Sequence, residues 1–147
     1  MPNAAITTDL MVGFPGESEK CFADTYSLAQ KVGFSDMHIF EYSKREGTVA
    51  AALDGQVPAS VKTKRSKALR CLANKMRTDY MEKQVGKTLQ VLFEEDLGQG
   101  FYQGLCKEYL RTVVYSELPL TNTVRDIKIT GVNSGKLEGK IIAASGL

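Results

Sequence analysis

The side chains of greatest chemical reach in this 147-residue chain are three cysteines, one histidine and two sets of cations. Cys21, Cys71 and Cys106 lie 50 and 35 residues apart. Metal-binding cysteines usually come in close pairs, and an odd number of scattered thiols is no disulfide framework. An iron–sulfur cluster needs several thiolates converging on one place. The chain alone is therefore expected to hold no metal and to carry free thiols in a reducing compartment. His38, the lone histidine, sits mid-strand and reads as a packed or hydrogen-bonded core residue rather than a catalyst. No residue is assigned a catalytic role.

Charge is unevenly spread. The chain carries a formal net charge of +2. Between Ser60 and Lys83 stand Lys62, Lys64, Arg65, Lys67, Arg70, Lys75, Arg77 and Lys83 against only Asp79 and Glu82. Such a stretch points to a polyanion or to a solvated helix face. Further on, Lys87, Arg111, Arg125, Lys128 and Lys140 are scattered among Tyr102, Tyr109 and Tyr115. Cations along a backbone path with aromatic faces for stacking are what single-stranded nucleic acid requires. Some of those tyrosines must be core, because a small barrel needs large inward residues. The acidic turn Glu94-Glu95-Asp96 should lie away from RNA.

The elements that would position these groups fall into two textures. Residues 6–14 (ITTDLMVGF) form a β-rich run ending in the turn Gly13-Phe14-Pro15-Gly16. Ser18 is an N-cap candidate, Phe22, Tyr26, Ala29 and Val32 recur at helical spacing, and Gly33 stands where a helix C-terminal glycine belongs. Residues 34–42 (FSDMHIFEY) read as a second strand, so a βαβ unit with parallel strands is expected. Pro58 and Ser60 open a long amphipathic helix whose apolar stripe is Val61, Ala68, Leu69, Leu72, Met76 and Tyr80. After a boundary near Gln84-Val85-Gly86, five short β-rich runs follow: 88–93, 101–106, 110–115, 124–130 and 137–142. They suggest a small closed barrel of the oligonucleotide-binding type. One βαβ unit and a helix cannot cover both faces of a parallel sheet. That favours a chain belonging to something larger.

The residues 6–17 (ITTDLMVGFPGE) resemble the fifth strand of the radical S-adenosylmethionine barrel in tRNA methylthiotransferases. The segment 39–48 (IFEYSKREGT) resembles its sixth strand and following loop, and Gln56-Val57-Pro58 before a basic helix is typical. The tail, with 86–92 (GKTLQVL) near its start and 127–131 (IKITG) near its end, is similar to a TRAM domain. The resemblance implies residues 1–84 as the C-terminal part of the radical S-adenosylmethionine (β/α) barrel with its linking helix, and residues 85–147 as an RNA-binding, five-stranded OB-like TRAM barrel. It implies a cytoplasmic enzyme that methylthiolates an adenosine of tRNA next to the anticodon. The Tyr-Ser-Lys-Arg-Glu-Gly-Thr segment looks most like the threonylcarbamoyladenosine branch.

The family uses S-adenosylmethionine and two 4Fe-4S clusters whose cysteines lie upstream of these motifs, so this chain is expected to be inactive alone. Met1 is then either internal to a longer parent or an artificial start, and the N-terminal part of that parent is an expected partner; no membrane is. By resemblance, Met11, Val12, Gly13, Ile39, Phe40 and Glu41 border the S-adenosylmethionine site, with Glu41 standing where a proline is expected. Ser43, Lys44 and Arg45 sit at the substrate mouth, where a planar guanidinium suits a phosphate or the threonylcarbamoyl carboxylate; a salt bridge to Glu46 or Glu41 is the plain alternative. Lys87, Tyr102, Arg111 and Lys128 are the RNA candidates in the barrel. Two other readings are a stand-alone RNA-binding module and a ribosomal-protein methylthiotransferase.

Overall fold

The β-branched start of ITTDLMV and the apolar alternation of DMHIFE each make a six-residue strand, β1 (Thr7–Val12) and β2 (Asp36–Glu41). They pair in parallel, Thr7 opposite Asp36 through Val12 opposite Glu41. Between them runs α1 (Glu19–Val32), begun by the Ser18 hydroxyl accepting the Cys21 N–H and ended by Gly33 in the left-handed conformation (φ 70°). The computed structural model describes residues 4–142. Met1-Pro2-Asn3 lies outside them. A single turn, α2 (Val49–Ala52), precedes the long helix α3 (Ala59–Glu82).

Residues 5–77 form one compact unit. Its core lies between one face of the sheet and the two helices: Val12, Met37, Ala29, Leu69, Leu72 and Ala73 are buried, with Leu10, Ile39 and Phe22 packed against them. The other face has no cover among the described residues. Met11 is 56% exposed and Phe40 52%. His38, expected in the core, is exposed on this same open face, opposite Asp9. Strand alternation turns His38 and Phe40 one way and Met37 and Ile39 the other.

The second unit runs from Thr78 and is a closed five-stranded barrel. Its strands are β3 (Thr88–Gly98), β4 (Phe101–Cys106), β5 (Arg111–Tyr115), β6 (Thr123–Asn133) and β7 (Lys136–Ile141), in the order β3-β4-β5-β7-β6 with β6 back beside β3. All neighbours are antiparallel except β5 and β7, which pair in parallel through only Thr112–Leu137, Val113–Glu138 and Val114–Gly139. Phe93, Val91, Ile127, Ile129, Leu137 and Val114 fill the interior. The division of contacts falls at Arg77/Thr78, ahead of the turn near Gln84, because Met81 is buried in the barrel core and Tyr80 packs against it. No helix among the described residues is long and apolar enough to cross a membrane.

A sheet of two strands with one bare face should open more readily than a barrel that closes its own ladder. Hydrogen exchange is expected to be faster at the amides of β1 and β2 than at 88–93 and 127–130. Equal protection at both would mean that the open face has found cover.

Candidate functional site

The basic helix turns part of its charge toward the rest of its unit, while Lys64, Lys67, Arg70 and Lys75 stay exposed. Arg65 is 5% exposed. Its guanidinium donates to the Glu17 carbonyl at 3.0 Å, lies 3.4 Å from the Glu17 carboxylate and reaches Glu19 at 3.1 Å. The Phe22 ring lies 5.4 Å away, within cation–π reach. Lys62 donates to the Tyr42 carbonyl at 2.8 Å and stands over the Tyr42 ring. Arg70 reaches the Ile39 carbonyl, and Arg77 pairs with Asp36. The cationic surface expected from Lys62 onward is thus interrupted: Arg65 is buried, Lys62 and Arg77 are half-buried against the βαβ unit, and Arg70 reaches it while staying exposed.

Those clamps decide what the expected cofactor edge looks like. Met11 and Phe40, opposite one another in register, present the apolar side of the open face. Val12 is turned into the core, Ile39 packs against it, and Glu41 accepts a hydrogen bond from Thr63. Gly13 (φ 75°) gives its N–H to Glu17, and a Cβ there would strike the Lys62 stem at 2.1 Å. Its lack of a side chain therefore serves the packing of α3. The donor set fits S-adenosylmethionine only in part: Met11 and Phe40 offer an apolar wall, while the space beside Gly13 is filled.

Ser43, Lys44 and Arg45 are all exposed in the segment after β2. Neither Glu46 nor Glu41 pairs with the Arg45 guanidinium. Its carbonyl accepts from Thr48, which fixes the turn into α2.

The thiols form no common site. No group of three or more His, Cys, Asp or Glu among the described residues could hold a metal ion. Cys21 and Cys71 are exposed, whereas Cys106 is buried in the barrel. Hydrogen bonds donated to its sulfur by the Ser18 hydroxyl and by the Ser18 backbone lower the Cys21 thiol from its ordinary value. Burial pushes Cys106 up to about 11. No step through an iron–sulfur cluster can be built on these residues.

On the barrel, Lys87, Arg111 and Lys128 are exposed, but not as one patch. Lys128 lies opposite Lys140 across β6 and β7 and opposite Thr88 on β3; its ammonium bonds the Gly86 carbonyl at 2.6 Å. Lys87 is tied to Gln84 close by in sequence. Arg111 begins β5 at its far end, about 13 Å along the strand from Tyr115. Tyr102, expected as a stacking platform, is 8% exposed and belongs to the barrel core. With Cys106 it faces inward, so its neighbour Phe101 faces out.

Phe101, which the sequence did not single out, meets Tyr115 edge to face, their ring centroids 5.6 Å apart. Gly100 makes this possible. A Cβ there would lie 2.7 Å from the Tyr115 ring, and its carbonyl accepts the Ser116 N–H at 2.8 Å. The pair borders a groove of about 540 Å³ with Val113, Thr130, Glu138 and Lys140. A second groove of about 460 Å³, walled by Leu92, Leu105, Val124 and Tyr109, carries Lys107.

No protein-family model matches the chain. Among curated proteins it is 39% identical over 142 residues to a tRNA-2-methylthio-N(6)-dimethylallyladenosine synthase of Pelotomaculum thermopropionicum, covering 95% of this chain and 32% of the relative. A synthase of the same name from Clostridium novyi is 38% identical over 97% of the chain. The threonylcarbamoyladenosine tRNA methylthiotransferase of Bacillus subtilis is 30% identical, again over 97% of the chain. The chain is homologous to tRNA methylthiotransferases. It spans about a third of the length of the relatives it matches.

Alkylation under native conditions should separate the thiols. Cys21 is expected to react first and Cys106 last, as read by mass spectrometry of iodoacetamide-treated protein. Fast labelling of Cys106 would mean that the barrel opens.

Proposed function

We propose that this chain serves a tRNA methylthiotransferase as its RNA-binding barrel, of the TRAM kind, and as one edge of its S-adenosylmethionine pocket. The observation that carries the reading is the similarity to these enzymes over 95% of the chain, across both units. The substrate is then an adenosine of tRNA. S-adenosylmethionine, when bound, supplies the methyl group and the radical chemistry. The chain's own part is to set Met11 and Phe40 against the adenine, to hold the ends of β1 and β2 through Lys62 and Arg65, and to bind the RNA backbone through Lys87, Lys128 and Lys140. The first unit is read as the last portion of a radical S-adenosylmethionine barrel. Its bare sheet face supports this, since parallel sheets are normally covered on both sides.

The modified nucleoside is the finer question. The Arg45 guanidinium, without an ion pair among the described residues, suits the carboxylate of a threonylcarbamoyl group. The higher identity to relatives named for dimethylallyladenosine favours an uncharged group. Competition between tRNAs bearing either nucleoside decides: a threonylcarbamoyl preference lost in Arg45→Gln supports the first, and no preference sets it aside.

Two measurements test the main reading. After anaerobic treatment with iron and sulfide the chain is expected to stay colourless and to leave S-adenosylmethionine intact. Stoichiometric iron with a charge-transfer band would sink the assignment as a cluster-free part. In a salt titration of tRNA binding, replacing Lys128 and Lys140 together with alanine should shallow the logarithmic slope by about one to two units if both touch phosphate.

A further inference from the structure

The groove beside the β5–β7 seam has features that a backbone-only RNA contact does not require. The parallel pairing of these strands stops at Val114 opposite Gly139. Beyond that point Ser116 turns its N–H to Gly100 and Ile142 turns its own to Asp126. The strands part, and the groove opens where they do. One wall is aromatic, with Phe101 44% and Tyr115 57% exposed. Two aromatics of this size left in water at one spot are a binding feature rather than packing, because both lie outside the barrel core. The opposite wall is polar. Lys140 lines it and is exposed, directly across from Lys128, whose ammonium is held by the Gly86 carbonyl. Glu138 also lines the groove, and Asn133 occupies only one of its carboxylate oxygens, at 2.7 Å.

We propose that this groove takes one unpaired nucleotide of a single-stranded RNA, the base against Phe101 and Tyr115 and its phosphate on Lys140. The inference rests on the RNA-binding reading above and deepens it: the barrel selects unpaired RNA, not the shape of a duplex. Base-paired nucleotides cannot present a face to the aromatic wall, because their faces are stacked within the helix. The Glu138 carboxylate accepts from an amino group on the base edge, which favours adenine, cytosine or guanine over uracil. The volume of about 540 Å³ lies within the range of clefts that hold small ligands.

The test is fluorescence anisotropy of the full chain with a labelled oligoadenylate, a labelled oligouridylate and a labelled RNA duplex. The single-stranded adenylate is expected to bind most tightly. Tyr115→Ala and Phe101→Ala should each weaken it roughly 5- to 150-fold with the salt slope unchanged. Lys140→Ala should instead shallow the slope by roughly 0.7. Tyr115→Phe keeps the ring and should bind like the parent, which guards against reading a folding defect as a lost contact. Circular dichroism of each variant checks the same point. Duplex bound as tightly as single strand, or folded Phe101 and Tyr115 variants that bind like the parent, would overturn the groove while leaving RNA binding by the barrel in place. A chain that binds none of the three RNAs overturns both.

Discussion

The Arg65 guanidinium is the contact on which the first unit depends. Glu17 closes the turn after β1 by taking the Gly13 N–H, and Arg65, one helix later, holds Glu17 by its carbonyl and its carboxylate. Both side chains are largely withdrawn from water. Losing one member of a buried pair leaves the other charge stranded, at a cost of about 3–5 kcal/mol. The Glu19 leg is different: that carboxylate is 77% exposed and contributes little. One cation thus joins strand, turn and both helices, and the sheet acquires its single covered face from the same arrangement. Lys62 extends it, filling the space that Gly13 leaves and gripping Tyr42 where β2 ends.

Much of this architecture was legible in the sequence. Ser18 and Gly33 marked the ends of α1, and Leu69, Leu72 and Met76 of the expected α3 stripe pack in the core, although the buried Ala73 and Met81 were missed. Four barrel strands were placed within three residues, whereas β3 continues to Gly98 through Glu94-Glu95-Asp96, read as a turn. Parallel pairing and the shortage of cover followed from strand, helix and strand in succession. What failed was the direction of particular side chains. FYQGLC carries an aromatic on each of two successive positions, so alternation alone does not say which of Phe101 and Tyr102 faces out. The phase is set by β3 and β5, which pair with β4 from elsewhere in the chain. The same holds for His38, whose neighbours on both sides are apolar.

The basic helix shows a related limit. Eight cations in one stretch look like a surface for a polyanion, yet the helix needs carboxylate, carbonyl and ring partners from β1, α1 and β2. Those partners are 20 to 48 residues away in sequence. Composition counts the charges without locating their partners. In the barrel the outcome runs the other way. Lys128 and Lys140 look unrelated along the chain and become neighbours only through the β6–β7 register.

The bare sheet has a further effect on the molecule's behaviour as a material. Among the described residues β1 pairs only with β2, so each strand keeps one rim of unused amide and carbonyl groups, beside a face that shows Met11 and Phe40. Such rims are templates for another extended segment. Concentrated samples will tend to grow by adding copies edge to edge along the sheet of the first unit. The closed barrel has no comparable rim and remains a bystander, and a charged side chain in place of Met11 is the change that would keep the preparation dispersed.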